Sequence, residues 1–398
     1  MLPFRTLDSL DFTGRRVLLR ADLNAPLRDG AVSDASRIEE VVPTIRELLG
    51  KASCVIVASH LGRPDGKVVP KLSLAPVHKV LADLLSPVPV AFVPDWSPGA
   101  PEQAAAALAP RGVLLLENLR FEAGEEDNDP NFAQRLASLA DVYVNDAFSA
   151  AHRAHASIEA VARLLPACAG RLMEKELQAL TDALDAPQRP VMAIVGGNKI
   201  STKLGVLEHL ITKVNRMAIG GAMANTFLLA EGAHIGNSLA ENDMLETARR
   251  VRARAAEVGC EIILPVDAVA AAELAAGQVT RVVPADAIPE GQMALDVGPK
   301  SVERLVELVR GSRTVLWNGP LGAFEIKPFD AATNAVAEEV AKATQSGALL
   351  SVAGGGDTMS ALVHAGVRDR FTYISLAGGA FLEWLEGLEL PGVAVLRV

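Results

Sequence analysis

The chain has 398 residues, a formal net charge of −10, and a composition that is half hydrophobic and 22% charged. That length allows two or three domains with large cores, and the acidic balance argues against a general nucleic-acid binder, which would be basic. Three scattered cysteines, Cys54, Cys168 and Cys260, form no CxxC pair, which excludes a disulfide framework or a zinc site and points to reduced core thiols in the cytoplasm.

The N-terminal stretch MLPFRTLDSLDFTGRR is charged and has no continuous apolar segment, so no signal peptide is expected. No run of about 18 uncharged apolar residues follows, so no membrane span is expected either. Candidate strands in the first half are 17–23, 55–59, 90–93, 112–117 and 142–145. In VLLRADLNAP the polar Arg20, Asp22 and Asn24 alternate with apolar residues, which puts them on one strand face. SHLGRP sets His60 and Arg63 after the next strand, and ENLRF sets Arg120 after VLLLE. NDAFSAAHRAHAS adds His152, Arg153 and His155, and ASRIEE adds Arg37. One such arginine would be an ordinary solvated charge. Their recurrence at successive strand ends suggests a small, highly charged anion, because guanidinium forks grip phosphate or carboxylate at two points. His152 and His155 lack a third ligand at metal-binding spacing.

GRLMEKELQAL (170–180) reads as a charged amphipathic helix and DAPQRPV (185–191) as loop, so a join between two lobes is expected near 165–190. Candidate strands then follow at 191–195, 216–219, 262–266, 293–297, 314–317, 349–353 and 372–375. Ile200, Leu204, Leu207, Leu210 and Val214 have helical spacing, which places Lys199 and Lys203 four apart on one helix. That juxtaposition of like charges is unfavourable unless an anion lies between them. AIVGGNKISTKL lacks the GxxxxGK[ST] phosphate loop. In SVAGGGDTMSALV, Gly354–Gly356 would let backbone N–H groups approach an anion at a helix start near Thr358. Asp357 could hold Mg²⁺ there or simply cap the helix. Alternating strands and helices predict an α/β chain of two lobes, each a mainly parallel sheet covered by helices. Polar and glycine residues cluster just after the strands, where ligands bind such sheets.

RADLNAP, SHLGRP, LLLENLRF, NDAFSAAHRAH, GGNKISTKLGVL, GGAMANTFL, TVLWNGPLGAFE, AGGGDT and GGAFLEWLEG together resemble the motifs of the phosphoglycerate kinase family, in that family's order, from about residue 15 to 388. The resemblance implies two Rossmann-like lobes: residues 1–168 binding 3-phosphoglycerate, a hinge helix and linker at 169–187, a nucleotide lobe at 188–376, and a segment 377–398 returning to the first lobe. It implies reversible phosphoryl transfer between 1,3-bisphosphoglycerate and MgADP, giving 3-phosphoglycerate and MgATP. Asp22, Asn24, Arg37, His60, Arg63, Arg120 and Arg153 would bind the glycerate. Lys199, Lys203, Gly221, Asn318, Glu325, Gly355, Gly356, Asp357 and Thr358 would serve the nucleotide, with Glu325 on the ribose and Asp357 on Mg²⁺. Arg37, Lys203, Lys199, Gly356 and Gly379 would stabilise the moving charge, as would Gly355 and Gly378. Asn198, Ala222, Lys327, Leu376 and Ala377 depart from the family's usual residues.

Both nucleophiles of that reaction are already anionic, so it needs no strong general base, only in-line positioning and electrostatic stabilisation. A monomer with small-molecule partners, and no nucleic acid or membrane, is expected. Rival readings are a kinase of another small acid, a two-lobed binding protein without catalysis, and an NAD-dependent dehydrogenase. The last lacks its glycine fingerprint.

Overall fold

A computed structural model of the chain describes residues 4–398, so the first three residues of the N-terminal stretch lie outside the described part. Among them the chain divides into two compact units, one of residues 4–178 with 389–398, the other of residues 179–388. The division falls inside the helix Arg171–Leu180, which buries Met173, Leu177 and Leu180 and runs into a wider turn at Thr181–Asp185.

The first unit is built on a six-stranded parallel sheet. Its spatial order is Val90–Val93, Val113–Leu116, Cys54–Ala58, Arg16–Ala21, Val142–Asp146, Ala167–Ala169. The central strands are continuous apolar runs because both faces are covered; Val113–Leu116 are fully buried. On one face the helices Ser36–Leu49 and Ala75–Leu85 pack Ile38, Val41, Ile45, Val77 and Leu81 into the core. Register aligns Arg20 with Ala58 on one side and Asn145 on the other. Three adjacent strands therefore end level, and their following loops share one edge. The last ten residues belong to this unit: Arg5 N–H donates to Leu396 O at 2.9 Å and Gly392 N–H to Ala151 O at 2.9 Å. The segment 377–388, expected to return with them, lies in the second unit, where the helix Gly379–Leu385 packs on the helix Leu204–Leu210.

The second unit has its own parallel sheet, ordered Glu261–Ile263, Arg216–Ile219, Val191–Val195, Thr314–Asn318, Leu350–Gly354, Tyr373–Ser375. Counted along the chain this is 3-2-1-4-5-6, the doubly wound dinucleotide-fold order, with its switch point between Val191–Val195 and Thr314–Asn318. Trp317 is fully buried at its centre.

Three expectations change. Residues 293–297 do form a strand, but in a separate antiparallel sheet with Asp267–Ala271 and Arg281–Pro284. Asp267–Ala271 is the central strand, and both of its neighbours run against it. The strand expected at 262–266 stops at Ile263, just before Pro265. Lys199 and Lys203 lie in the turn before the helix Leu204–Leu210 rather than on it. Lys203 reaches back to backbone oxygens, as described below, and the Glu241 carboxylate accepts from Ser201 N–H at 3.1 Å and its hydroxyl at 2.5 Å. These contacts hold the turn open. No helix among the described residues is long and apolar enough to cross a membrane.

Candidate active site

The first unit's edge gathers positive charge. Arg20 has no exposure; its Nε donates to Ser157 Oγ at 2.9 Å, its Nη1 to Ala21 O at 2.6 Å, and its Nη2 lies 3.1 Å from His60 Nδ1. Asp22 and Asn24 sit beyond the strand's end at Ala21 rather than on it. Asp22 pairs with Arg37 and accepts from the Ser149 hydroxyl at 2.5 Å, while Asn24 Oδ1 accepts from Gly62 N–H at 3.0 Å. Arg120 is buried, donating to Gly62 O at 2.8 Å and lying 3.3 Å from Glu126. Arg63 and Arg153 are exposed, and Arg153 Nε donates to His152 Nε2 at 3.2 Å.

Electrostatics show that these groups converge. Burial pushes His60 well below its ordinary range, and the charges of Arg20, Arg120 and Arg37 push the same way, as His155 would if protonated. Burial pushes His155 down to about 3, reinforced by Arg120, Arg20, Arg153 and His152. The histidines are therefore neutral, and the arginines carry the positive potential. Surrounded by so many cations, an imidazole has no reason to take a proton.

The second unit's edge is made of backbone. Gly196 follows one strand and Gly319 follows its neighbour, and a side chain on Gly196 would overlap the Pro320 carbonyl oxygen. The two turns touch main chain to main chain. Lys203 Nζ donates into that junction, to Gly196 O at 2.6 Å, Asn318 O at 2.9 Å and Asn318 Oδ1 at 2.7 Å. Burial pushes this ammonium down to about 8, against the pull of Asp357. Asn318 in turn donates to Gly354 O at 2.8 Å, and the buried Thr358 hydroxyl accepts from Gly319 N–H at 2.7 Å.

Two of the three glycines in the triplet have a cause within the protein. A side chain on Gly354 would strike the Phe381 ring at 2.6 Å. Gly355 has φ +96° and ψ 144°, and a Cβ there would lie 2.7 Å from Asn318 Nδ2. Gly356 faces open space, so the protein itself does not demand its bareness. The helix starts at Gly356, two residues earlier than expected, which puts Asp357 in its first turn rather than at its cap. Gly355→Ala is expected to cost about 1–3 kcal/mol of backbone strain and to displace Asn318 from Lys203. Calorimetry should show nucleotide affinity weakened at least about tenfold; unchanged affinity would mean that this turn plays no part in binding.

A cavity of about 460 Å³ opens beside this edge, within the range of small-molecule sites. Its lining includes Gly197, Gly221, Leu295, Phe324, Glu325 and Asp357. Asn198 and Ala222, two of the departures from the family pattern, also line it. Lys199 is exposed near Glu241, and Gly378 and Gly379 are exposed at the start of their short helix. Sequence reasoning missed Asp296, which lines the same cavity. Its carboxyl is pushed up to about 7 by burial, although it accepts from Ala332 N–H at 2.9 Å and Val297 N–H at 3.0 Å. Among the described residues no cluster of three His, Cys, Asp or Glu side chains could hold a metal by itself. Asp357, a single exposed carboxylate in the first turn of the helix Gly356–His364, fits Mg²⁺, which takes one or two carboxylates plus phosphate oxygens.

All three cysteines are buried and unpaired, and burial pushes the Cys168 and Cys260 thiols up to about 12 and 11. None is a reactive nucleophile.

The sequence profile of the family described as phosphoglycerate kinase matches residues 7–388. The chain is 59% identical over 396 residues to the phosphoglycerate kinase of Granulibacter bethesdensis, and 56% identical over 397 residues to that of Cereibacter sphaeroides, with all of both chains covered in each case. Among solved structures it is similar to phosphoglycerate kinase from Coxiella burnetii, with a TM-score of 0.92 and 42% identity over 99% of each chain. It is also similar to the Pyrococcus horikoshii enzyme, with a TM-score of 0.77 and 29% identity over 99% of this chain and 98% of that one.

Proposed function

The chain belongs to the phosphoglycerate kinase family, and from that premise we propose how its residues divide the work. The reaction is that of a glycolytic transferase: a phosphoryl group moves reversibly between the acyl phosphate of 1,3-bisphosphoglycerate and ADP, giving 3-phosphoglycerate and ATP. The cationic edge, with Asp22, Asn24, Arg37, His60, Arg63, Arg120 and Arg153, takes the phosphorylated acid. The glycine edge, with Gly221, Asn318, Gly355, Gly356 and Thr358, takes the nucleotide phosphates, and Glu325 the ribose.

Asp357 would hold Mg²⁺, which when bound supplies positive charge to the nucleotide phosphates. Lys203 and Arg37 face the charge on the moving group, with Lys199 and the N–H groups of Gly356 and Gly379 assisting. Neither carboxylate nor phosphate needs deprotonating, so the protein's task is alignment, charge stabilisation and the exclusion of water as the two units close on their substrates. The protein acts as a cytoplasmic monomer, a location that suits three uncrosslinked thiols.

The observation that carries this reading is the half-buried Lys203 ammonium, held by three oxygens where two strand ends meet, beside Asp357. A coupled assay with 3-phosphoglycerate and MgATP should show turnover that acetate does not support. Tight binding of both compounds without turnover would instead favour a binding protein.

A further inference from the structure

A chain of hydrogen bonds runs beneath the cationic edge and is not used by the roles assigned above. It starts at Glu125, which has no solvent exposure. Its Oε2 accepts from Ser157 N–H at 2.9 Å and its Oε1 from the Ser157 hydroxyl at 2.6 Å. The hydroxyl has one proton, and it is committed to Glu125. Ser157 Oγ must therefore act as an acceptor on its other side, where Arg20 Nε donates at 2.9 Å. Ser157 is itself fixed from behind, because its carbonyl accepts from the Tyr143 hydroxyl at 2.7 Å.

Arg20 then meets His60, with Nη2 3.1 Å from Nδ1. A guanidinium has only donors and stays charged, so Nδ1 can only be the acceptor. A neutral imidazole that accepts at Nδ1 carries its proton on Nε2. Nε2 has no hydrogen-bond partner among the described residues, and the ring keeps 7% exposure. The groups acting on His60 are the Arg20, Arg120 and Arg37 guanidiniums and the neutral His155, and none of them favours a second proton.

We propose that the Glu125–Ser157–Arg20 chain fixes His60 as the Nε2–H tautomer, so that it meets an anionic oxygen of the glycerate substrate as a neutral, pre-aimed donor. Glu125 and Ser157 are thus positioning residues. Glu125 also supplies the buried counter-charge without which a wholly buried Arg20 would be uncompensated. The use of the donor rests on the glycerate-side reading above; the tautomer does not.

The test uses the full-length protein labelled with ¹⁵N-histidine, with the His60 signals assigned by their loss in His60→Gln. Long-range ¹⁵N–¹H spectra of the wild type should show the Nε2–H form alone. An Nδ1–H form, or a mixture, overturns the chain. Ser157→Ala should release the tautomer into a mixture and raise the KM for 3-phosphoglycerate about tenfold, the worth of one hydrogen bond to a charged group. The KM for ATP and kcat should change less than about twofold, and Ser157→Thr, which keeps the hydroxyl, should restore both readouts. A single tautomer and an unchanged KM in Ser157→Ala would overturn the proposal. An unchanged KM in His60→Gln would overturn the glycerate-side reading and with it the donor's use, while the wild-type spectra would still decide the tautomer.

Discussion

Lys203→Met should lower kcat by about 10²–10³-fold, the usual cost of removing one preorganised group that faces developing charge. The ammonium is already half-buried, and three oxygens fix its position. All three of its protons are committed to these oxygens, so in the proposed mechanism it acts on the moving phosphoryl group as a fixed point charge. Methionine keeps most of the stem's volume and loses the charge, so a loss of rate reports the charge and not a hole. The pH profile is a second check. The free protein holds this group at about 8 through burial, so kcat/KM for nucleotide should fall as pH rises through about 8 and the ammonium loses its proton. Bound phosphates favour the charged form, so the same limb in kcat should lie at higher pH. Both limbs should vanish in Lys203→Met. A variant within about threefold of the parent kcat would remove Lys203 from the chemistry and leave it only a structural role.

That lysine also marks where sequence reasoning stops. The buried strands were legible because strands covered on both faces are continuous apolar runs: VLLL and VMAIV could be little else. The glycines after them were legible as strand ends for the same reason, since they interrupt such runs at one end. The turn at 198–203 was not. Ile200 and Leu204 have helical spacing, and only the reach of Lys203 to Asn318, across 115 residues, shows that the helix starts later. The antiparallel sheet around Met293–Val297 was hidden because its central strand Asp267–Ala271 and the far strand Arg281–Pro284 did not stand out as strands, and without them its direction could not be read. Glu125 and Asp296 went unnoticed for a third reason. A carboxylate that will be buried looks like any other until its partners, 32 and 36 residues away, are placed beside it. Local periodicity specifies faces and ends; it does not specify which distant polar group a buried charge will meet.

Arg37→Ala is expected to lower kcat by at least about tenfold and to raise the KM for 3-phosphoglycerate, while ADP affinity stays nearly intact. Two effects act together. The variant loses a guanidinium that the proposed mechanism sets against the moving phosphoryl group. It also leaves Asp22, whose side chain is 16% exposed, without its arginine and with only neutral donors, the Ser149 hydroxyl and Asn24 N–H. An unpaired carboxylate at this edge would repel the anion that the proposed function places there. Asp22→Asn combined with Arg37→Ala should therefore recover part of the KM and none of the kcat, separating the electrostatic penalty from the catalytic one. Arg37→Lys should rescue little, because an ammonium cannot span the carboxylate and the phosphoryl oxygens at once as a planar fork does. Steady-state kinetics in both directions, with calorimetry for ADP, would measure all three variants. An Arg37→Ala kcat equal to the parent's would leave Arg37 a binding residue alone and shift the burden of charge stabilisation to Lys203.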